Sequence, residues 1–310
     1  MIQLKQYFLL IFAALAIASS IVACDSAKDE PQDAPENEAA FENAIKKISE
    51  GFPKDYLWET IAKTPYILEG TIQVDTNKIK EIKKAKGAYI EINFAIDSVL
   101  KGDVPSKEII INKYICSKKD QAFYCNDSNL FLFNGKKSVI FLTLGRAGAY
   151  YLPNSAPNSI FPETDKVKIK EEIAKQNEII GNKAHEKICP TVQYSSKVKC
   201  LIEDMLVQSK ANKAYIILET SGIQAVPAII CQMDDRRELA VKGISLKNKS
   251  PQAWEAYRHY SPQLVVDVLE AILNQITGNS FGTIHNGGSE EKRARTVNGW
   301  RIYLWHLFND

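Results

Sequence analysis

The sequence predicts a multidomain chain of α and β structure, in which a small β-barrel is followed by an all-α domain. Two patterns carry this prediction. Short strand-like segments, some of alternating apolar and polar residues, recur at even spacing in the first half of the chain. From residue 165 onward the apolar residues recur at helical spacing. Because the chain has 310 residues, we expect more than one hydrophobic core.

Residues 1–23 have the pattern of a leader peptide. Lys5 precedes an apolar core shorter than the roughly 20 residues that a spanning helix needs. The segment ends in Ile21-Val22-Ala23-Cys24, which resembles a bacterial lipobox. We therefore expect a lipoprotein signal peptide and a lipidated Cys24, which places the protein on the cell envelope facing the periplasm or exterior. A plain secreted protein and a retained membrane helix are the alternatives.

The segment after Cys24 is acidic and contains almost no apolar bulk, so residues 24–40 are predicted to be the lipidated Cys and a disordered tether. Asp25 resembles the inner-membrane retention signal of proteobacterial lipoproteins. The net charge of the chain is only +2, which is too small to argue for a nucleic-acid partner. The expected partners are the membrane, through the lipid, and a protein or an anionic glycan or lipid.

The remaining cysteines are expected to form disulfides, because export permits them. Their short spacings favour two local pairs, although spacing alone does not fix the connectivity. The candidates, paired in this order, are Cys116, Cys125, Cys189 and Cys200. Cys231 is left over in this scheme.

A zinc site is the alternative reading of the later cysteines. His185 lies four residues before Cys189, and Cys200 follows. The paired two-residue spacings of structural zinc sites are absent, so we predict no metal.

The first folded domain is predicted to span residues 41–160. Two short amphipathic helices are expected at 41–50 and 55–63. The predicted strands are 66–74, 90–96, 108–115, 130–133, 138–144 and 149–152. A closed barrel is the economical way to remove the edges of so many short strands.

Four stretches in this domain resemble the netrin-like module, the OB-fold barrel shared with tissue inhibitors of metalloproteinases. They are "YILEGTIQV", "INFAIDSVLKGDVPSKEIII", "LFLFNGKKSVIFL" and "AYYL", within about residues 57 to 155. The resemblance implies an OB-like barrel. The inhibitors act through a free N-terminal Cys, whereas Cys24 is expected to be acylated and lies well before the barrel. Metalloproteinase inhibition is therefore not carried over.

A cluster of lysines lies in the connection between the first two strands, where OB-folds often place a ligand loop. Its members are Lys78, Lys80, Lys83, Lys84 and Lys86. They form a candidate anion-binding loop for lipid headgroups or an acidic glycan. A solvated charged loop or short helix is the alternative.

The second domain is predicted to span residues 165–310 and to be entirely helical. "AYIILETSGIQAVPAIICQMDD" resembles the helix pair of a HEAT-like repeat, and "ITGNSFG" with "NGWRIYLW" resembles the terminal unit of HEAT-like domains. Gly278 is expected to end one helix and Ser289 to cap the next. Trp300 and Trp305 are interpreted as core residues, with a ligand platform as the alternative.

The sequence contains none of the common hydrolase, nucleotide-binding or zinc-protease motifs. Its four histidines are His185, His259, His285 and His306. None lies beside a candidate nucleophile in sequence, and His285 draws interest because it lies in a Gly-rich loop. We therefore predict no catalytic residues, no cofactor and a binding or scaffold role. The alternatives are an envelope hydrolase with a site at the domain junction and a purely structural lipoprotein.

Overall fold

The computed structural model describes residues 35–52, 57–84, 88–115, 132–145, 148–152, 159–248 and 255–310. The chain divides into two compact units. The barrel unit is Pro53–Asn182, and the helical unit combines Met1–Phe52 with Lys183–Asp310. In sequence, the barrel unit is therefore an insertion within the helical unit. The predicted signal peptide and Cys24 lie outside the described residues.

The described residues form ten α-helices and eight strands. The helices are α1 Pro35–Glu50, α2 Leu57–Lys63, α3 Thr76–Lys84, α4 Lys166–Gly181, α5 His185–Ile188, α6 Ser195–Met205, α7 Ala211–Thr220, α8 Val226–Ile230, α9 Val265–Thr277 and α10 Glu290–Asn309. The strands are β1 Tyr66–Gln73, β2 Ala88–Lys101, β3 Glu108–Ile115, β4 Lys137–Leu144, β5 Tyr150–Tyr151, β6 Ile160–Pro162, β7 Ile244–Lys247 and β8 Tyr257–Tyr260.

The first five strands form a closed barrel, which confirms the prediction of a small β-barrel in the first half of the chain. Their order is β1-β2-β3-β5-β4, and β4 pairs with β1 to close the ring. β3 and β5 run parallel, whereas the other pairs of the ring are antiparallel. This arrangement is compatible with an OB-like domain. One predicted strand is wrong in its described part, because residues 132 and 133 are helical.

Strand β1 pairs on both edges, and Gly70 makes this possible. The register against β2 shifts between Glu69 and Gly70. A Cβ at Gly70 would lie 2.0 Å from the carbonyl oxygen of Ala95 and 2.8 Å from Cζ of Phe94. Such close backbone approach at an irregular strand position is available only to glycine.

The barrel unit has two hydrophobic cores, one on each side of β1. Leu68 and Ile72 point into the barrel, where they pack with residues of β2, β3 and β4. Ile67 points outward and packs with Ile61 of α2 and Ile169 of α4. Because both faces of β1 are covered, its middle residues are all buried and lack the alternation of a half-exposed strand.

Helix α4 belongs to the barrel unit, although residues 165–310, which include this helix, were predicted to form the second domain. The amide of Gln176 donates to the carbonyl of Trp58 in α2 at 2.8 Å. Glu69 of β1 accepts hydrogen bonds from Lys166 and from Ser98, each at 2.5 Å. The apolar spacing of α4 is helical, but its apolar side packs on the barrel.

Helix α1 belongs to the helical unit and begins within the segment predicted to be a tether. Residues 35–40 are helical, so the disordered tether cannot extend through residue 40. Phe41, Ala44, Ile45 and Ile48 are buried at helical spacing. Lys47 donates to the carbonyl of Leu307 at 2.8 Å, near the end of α10. A cation there meets backbone carbonyls that have no partner within the helix.

The two motifs "SFG" and "NGW" pack on each other in the helical unit. A Cβ at Gly282 would lie 1.9 Å from Oγ1 of Thr296, and a Cβ at Gly299 would lie 2.4 Å from Cβ of Phe281. The rings of Phe281 and Trp300 contact each other edge to face at 4.9 Å. The two glycines thus let the loop before α10 lie directly on that helix.

A buried ion pair joins α9 to α10 beneath this loop. Asp267 is fully buried, and its two carboxylate oxygens accept from Arg293 at 2.8 and 2.9 Å. The same carboxylate accepts from the backbone N–H of Gln263 and Leu264 at the start of α9. With all these partners present, the buried charge is compensated. The expected ends of the two helices are also confirmed, since Gly278 is left-handed and Ser289 accepts from Lys292.

The prediction of an all-α second domain is wrong, because β7 and β8 form a two-stranded antiparallel sheet. Ile244 and Leu246 are buried and alternate with exposed residues. This period of two is typical of a strand. It was overlooked in the sequence because it is short and the flanking segments have helical spacing. The likeness to HEAT repeats stays a prediction.

The local pairing of Cys189 with Cys200 is also wrong. Cys189 is bonded to Cys231, across a sequence separation of 42. Cys231 directly follows helix α8, and the fold places it beside Cys189. The disulfide therefore joins two residues that are distant in sequence, and the predicted local pair does not form. Cys200 is disulfide-bonded as well. Cys116 and Cys125 lie outside the described residues.

We expect Gly70→Ala to destabilise the barrel by more than about 2 kcal/mol, because the new methyl group would overlap the Ala95 carbonyl. Urea unfolding followed by circular dichroism measures the change. Gly181→Ala is the matched control in the same unit, because a Cβ there meets open space and the residue ends a helix. Equal stability of the two variants would contradict the role given to Gly70.

The double substitution Cys189→Ser and Cys231→Ser should lower the free energy of unfolding by about 4 kcal/mol in the chain-entropy model for a loop of this length. Thermal unfolding of both forms measures this loss. Mass spectrometry of peptides from the unreduced protein tests the pairing itself. A peptide that links Cys189 to Cys200 would overturn the assignment.

Candidate functional site

One side of the barrel is covered by helices and another is left open. α2 and α4 pack on the outer face of β1 and β4. On β3 and on residues 89–95 of β2, by contrast, every second residue points away from the barrel and is exposed or half-buried. The outward residues of these two strands include Tyr89, Ile110 and Tyr114. Tyr89 is 61% exposed and Ile110 is 52% exposed.

A pocket of about 300 Å³ lies on this open face, and we call it the tyrosine pocket. Its lining residues are Tyr89, Asn112, Tyr114, Thr143, Gly145, Tyr151 and Leu152. They come from four strands that are neighbours in the barrel, namely β2, β3, β5 and β4, and from the residues directly after β4 and β5. The pocket therefore exists only because the barrel places β5 between β3 and β4.

The strand register brings the three tyrosines together. Tyr89 pairs directly with Tyr114 across β2 and β3. Asn112 pairs with Tyr151 across the parallel pair β3 and β5. The ring of Tyr89 lies 5.1 Å from that of Tyr114 and 6.3 Å from that of Tyr151, at interplanar angles of 64° and 80°. The rings thus form a corner, in which Tyr89 is exposed and Tyr114 and Tyr151 are half-buried.

Gly145 allows the ring of Tyr151 to lie against the backbone at the end of β4. A Cβ at Gly145 would lie 2.4 Å from Cε2 of that ring. The N–H of Gly145 donates to the carbonyl of Ala149 at 2.9 Å and closes the turn between β4 and β5. Leu152 is buried beside this turn. The position of Tyr151 is therefore set by the turn and by the absence of a side chain at Gly145.

The described lining of the tyrosine pocket carries no charged side chain. Its polar groups are three phenols, the amide of Asn112 and the hydroxyl of Thr143. An amide both donates and accepts hydrogen bonds, and so does each hydroxyl. The pocket can therefore contact an apolar surface and a row of neutral polar groups at the same time.

The candidate anion-binding loop is a helix, α3, and its described lysines face solvent. Lys78 and Lys80 are exposed, whereas Ile79 between them is fully buried in the barrel core. Asp75 begins the helix by accepting from the N–H of Asn77 and Lys78. Lys78 and Lys80 do not line the tyrosine pocket. The side chains of Lys83 and Lys84, and the whole of Lys86, lie outside the described part of the chain.

A second pocket of about 250 Å³ lies between β2 and α4. Ser98 and Lys170 are among its lining residues, and Val99, Leu100 and Ile173 supply an apolar wall. Ser98 donates to Glu69. Burial alone would raise the pKa of Glu69, but the hydrogen bonds from Lys166 and Ser98 hold that pKa below its usual value. A carboxylate with a lowered pKa is a weak base, so this cluster attaches α4 to the barrel and does not activate Ser98.

The histidines do not form a catalytic group among the described residues. His259 contacts Ser245 at 2.8 Å on the exposed β7–β8 sheet, but no described carboxylate orients its ring. Burial lowers the pKa of His285, which lies edge to face with Tyr260. Burial lowers the pKa of His185 too, and the nearby Arg301 adds to the effect. His306 is buried and contacts Asp310.

The two tryptophans and the possible zinc ligand take part in packing and in a disulfide. Trp300 is fully buried, which confirms its interpretation as a core residue, and Trp305 is half-buried. Cys189 cannot supply a zinc thiolate while it is bonded to Cys231. Among the described residues, no three His, Cys, Asp or Glu side chains are grouped as metal ligands. In the same part of the chain, no helix has the length and apolar character required to cross a bilayer.

Sequence reasoning missed the tyrosine pocket. Tyr89, Tyr114 and Tyr151 are far apart in the sequence, and only the barrel topology joins them. One signal was present in the alternation of β2 and β3. Tyrosine occupies outward positions there, where a solvated strand usually carries polar or charged residues.

Comparison of this chain with protein-family models, with curated proteins and with solved structures found no match.

Proposed function

We propose that this protein is a membrane-anchored lipoprotein of the cell envelope that acts as a non-catalytic binding module. Its binding surface is the tyrosine pocket on the open face of the barrel. The observation that carries the proposal is the cluster of three tyrosines, of which Tyr89 is 61% exposed. The exposed aromatic surface is costly in water and is favourable once a ligand covers it.

The position of the pocket supports binding over catalysis. OB-like barrels bind their ligands on the face of strands 2 and 3 and on the neighbouring loops. The tyrosine pocket uses that face together with the turn between β4 and β5. It is an open surface feature with neutral walls, whereas a hydrolase site needs an activated nucleophile next to a base. Neither is among the lining residues that the structure describes.

The exposed lysines of α3 supply a second, weaker element of the proposal. Lys78 and Lys80 lie on the connection between β1 and β2 and add positive charge to the barrel surface. In an envelope with anionic lipids or glycans, such charges attract the protein without selecting a ligand. We therefore assign selection to the tyrosines and general attraction to the lysines.

Capture of envelope components by the purified full chain tests the binding surface. The double variant Tyr89→Ala and Tyr114→Ala should lose most of the captured material, because both open aromatic walls are removed. Tyr257→Ala is the matched control, since Tyr257 is 53% exposed on a strand of the helical unit. Lys78→Glu with Lys80→Glu should reduce capture at low salt only. Equal capture by the double tyrosine variant and by Tyr257→Ala would contradict the proposal.

The anchor requires a separate test. Cys24→Ser removes the thiol that the lipid would modify, so we expect the protein to leave the membrane fraction when cells are lysed and fractionated. Metabolic labelling with a fatty acid should mark the unsubstituted chain and leave the variant unlabelled. Continued sedimentation of Cys24→Ser with membranes would refute the lipid anchor and leave the barrel surface to be judged by capture alone.

A further inference from the structure

We propose that the tyrosine pocket binds an uncharged sugar ring within a glycan chain. This inference rests on the proposed binding function, and it replaces the unspecified envelope partner by one class of ligand. It also separates the pocket from the lysines of α3, which favour an anionic ligand.

The charge of the lining selects the class of ligand. A nucleic acid or an acidic glycan needs cations at its phosphate or carboxylate groups. The described lining residues supply none. An unpaired ligand charge would lose water on entering the pocket without gaining a partner, which is unfavourable. A neutral ligand avoids this cost.

The chemistry of the walls selects a ring with one apolar face. A pyranose has a face of C–H groups and a rim of hydroxyls. The C–H groups carry slight positive charge, and the face of an aromatic ring is its negative part, so the two surfaces attract. Tyr89 is sufficiently exposed to offer such a face. Asn112 lies beside the tyrosines and can exchange hydrogen bonds with the hydroxyl rim. The hydroxyl of Thr143, which donates to the carbonyl of Tyr151, can accept one.

The size and setting of the pocket favour part of a polymer. Its volume of about 300 Å³ is at the lower limit of small-molecule sites. It therefore suits a single ring-sized group. Because the site lies on the outer surface of the barrel, both ends of a longer chain can leave it without crossing the protein. Exposed Ile110 and Asn93 continue the outer face along β2 and β3.

A proline-rich peptide is the competing ligand, because such peptides dock in aromatic grooves. Grooves of that kind hold an extended helix between aromatic ridges. The ring of Tyr89 instead contacts those of Tyr114 and Tyr151 at steep angles and forms a corner with them. The corner favours one ring stacked on a face over a continuous peptide ridge. The peptide is kept as an outcome of the test.

The experiment uses the full chain purified in detergent. The probes are neutral oligosaccharides of glucose, galactose, mannose and N-acetylglucosamine, acidic oligosaccharides and a proline-rich peptide. Binding is measured by calorimetry at low and high salt for the unsubstituted chain, Tyr89→Ala and Tyr257→Ala. We expect a neutral oligosaccharide to bind and Tyr89→Ala to weaken this binding about tenfold, as stacking on one ring predicts. Tyr257→Ala should retain it, and salt should leave it unchanged.

The inference is overturned if none of the neutral probes binds, if only acidic probes bind with strong salt dependence, or if only the peptide binds. Acidic-probe or peptide binding that Tyr89→Ala abolishes would retain the proposed binding function and reject the sugar. If no probe binds and the double tyrosine variant also captures envelope material normally, both proposals fail.

Discussion

The close approach of Gly70 to the carbonyl of Ala95 is the constraint on which the barrel depends. It lets β1 change register against β2 while its other edge pairs with β4. A strand that pairs on both edges has no free edge, and the ring of five strands can close. Closure then brings β5 between β3 and β4, which is the only way in which Tyr151 comes to lie beside residues of β2 and β3.

The same closure divides the outer surface of the barrel into a covered part and an open part. Ile67 and Phe141 point outward on β1 and β4 and are fully buried beneath the neighbouring helices. Glu69, also outward, is compensated by Lys166 and Ser98. On the covered side, these polar groups are thus hydrogen-bonded to one another, and they stabilise the fold. The open side keeps Tyr89 exposed and Tyr114 and Tyr151 half-buried. This difference between the two sides is the physical basis for assigning function to β2, β3 and β5.

Much of the fold could be predicted where one local period dominates. β3 was predicted with its observed bounds, and the alternation of β2 was read correctly. Prediction failed where the deciding contact is distant in sequence. Cys189 pairs with Cys231 because helices bring them together, although Cys200 is closer along the chain. The apolar side of α4 packs on the barrel, and its helical period alone cannot say which unit it joins. Residues 35–40 look too polar to order themselves, yet they extend a helix whose next turns are buried.

The candidate site was harder to predict than the fold, because its members share no sequence motif. The lysines of α3 form a visible run in the sequence, and they attracted the first hypothesis. Yet a run of charge on a helix needs no ligand, since water solvates it at little cost. The exposed ring of Tyr89, at an outward position of the closed barrel, has an unfavourable contact with water that a ligand can remove. Because of this cost, the tyrosine pocket is the better candidate for selective binding. The lysines of α3 contribute only general electrostatic attraction.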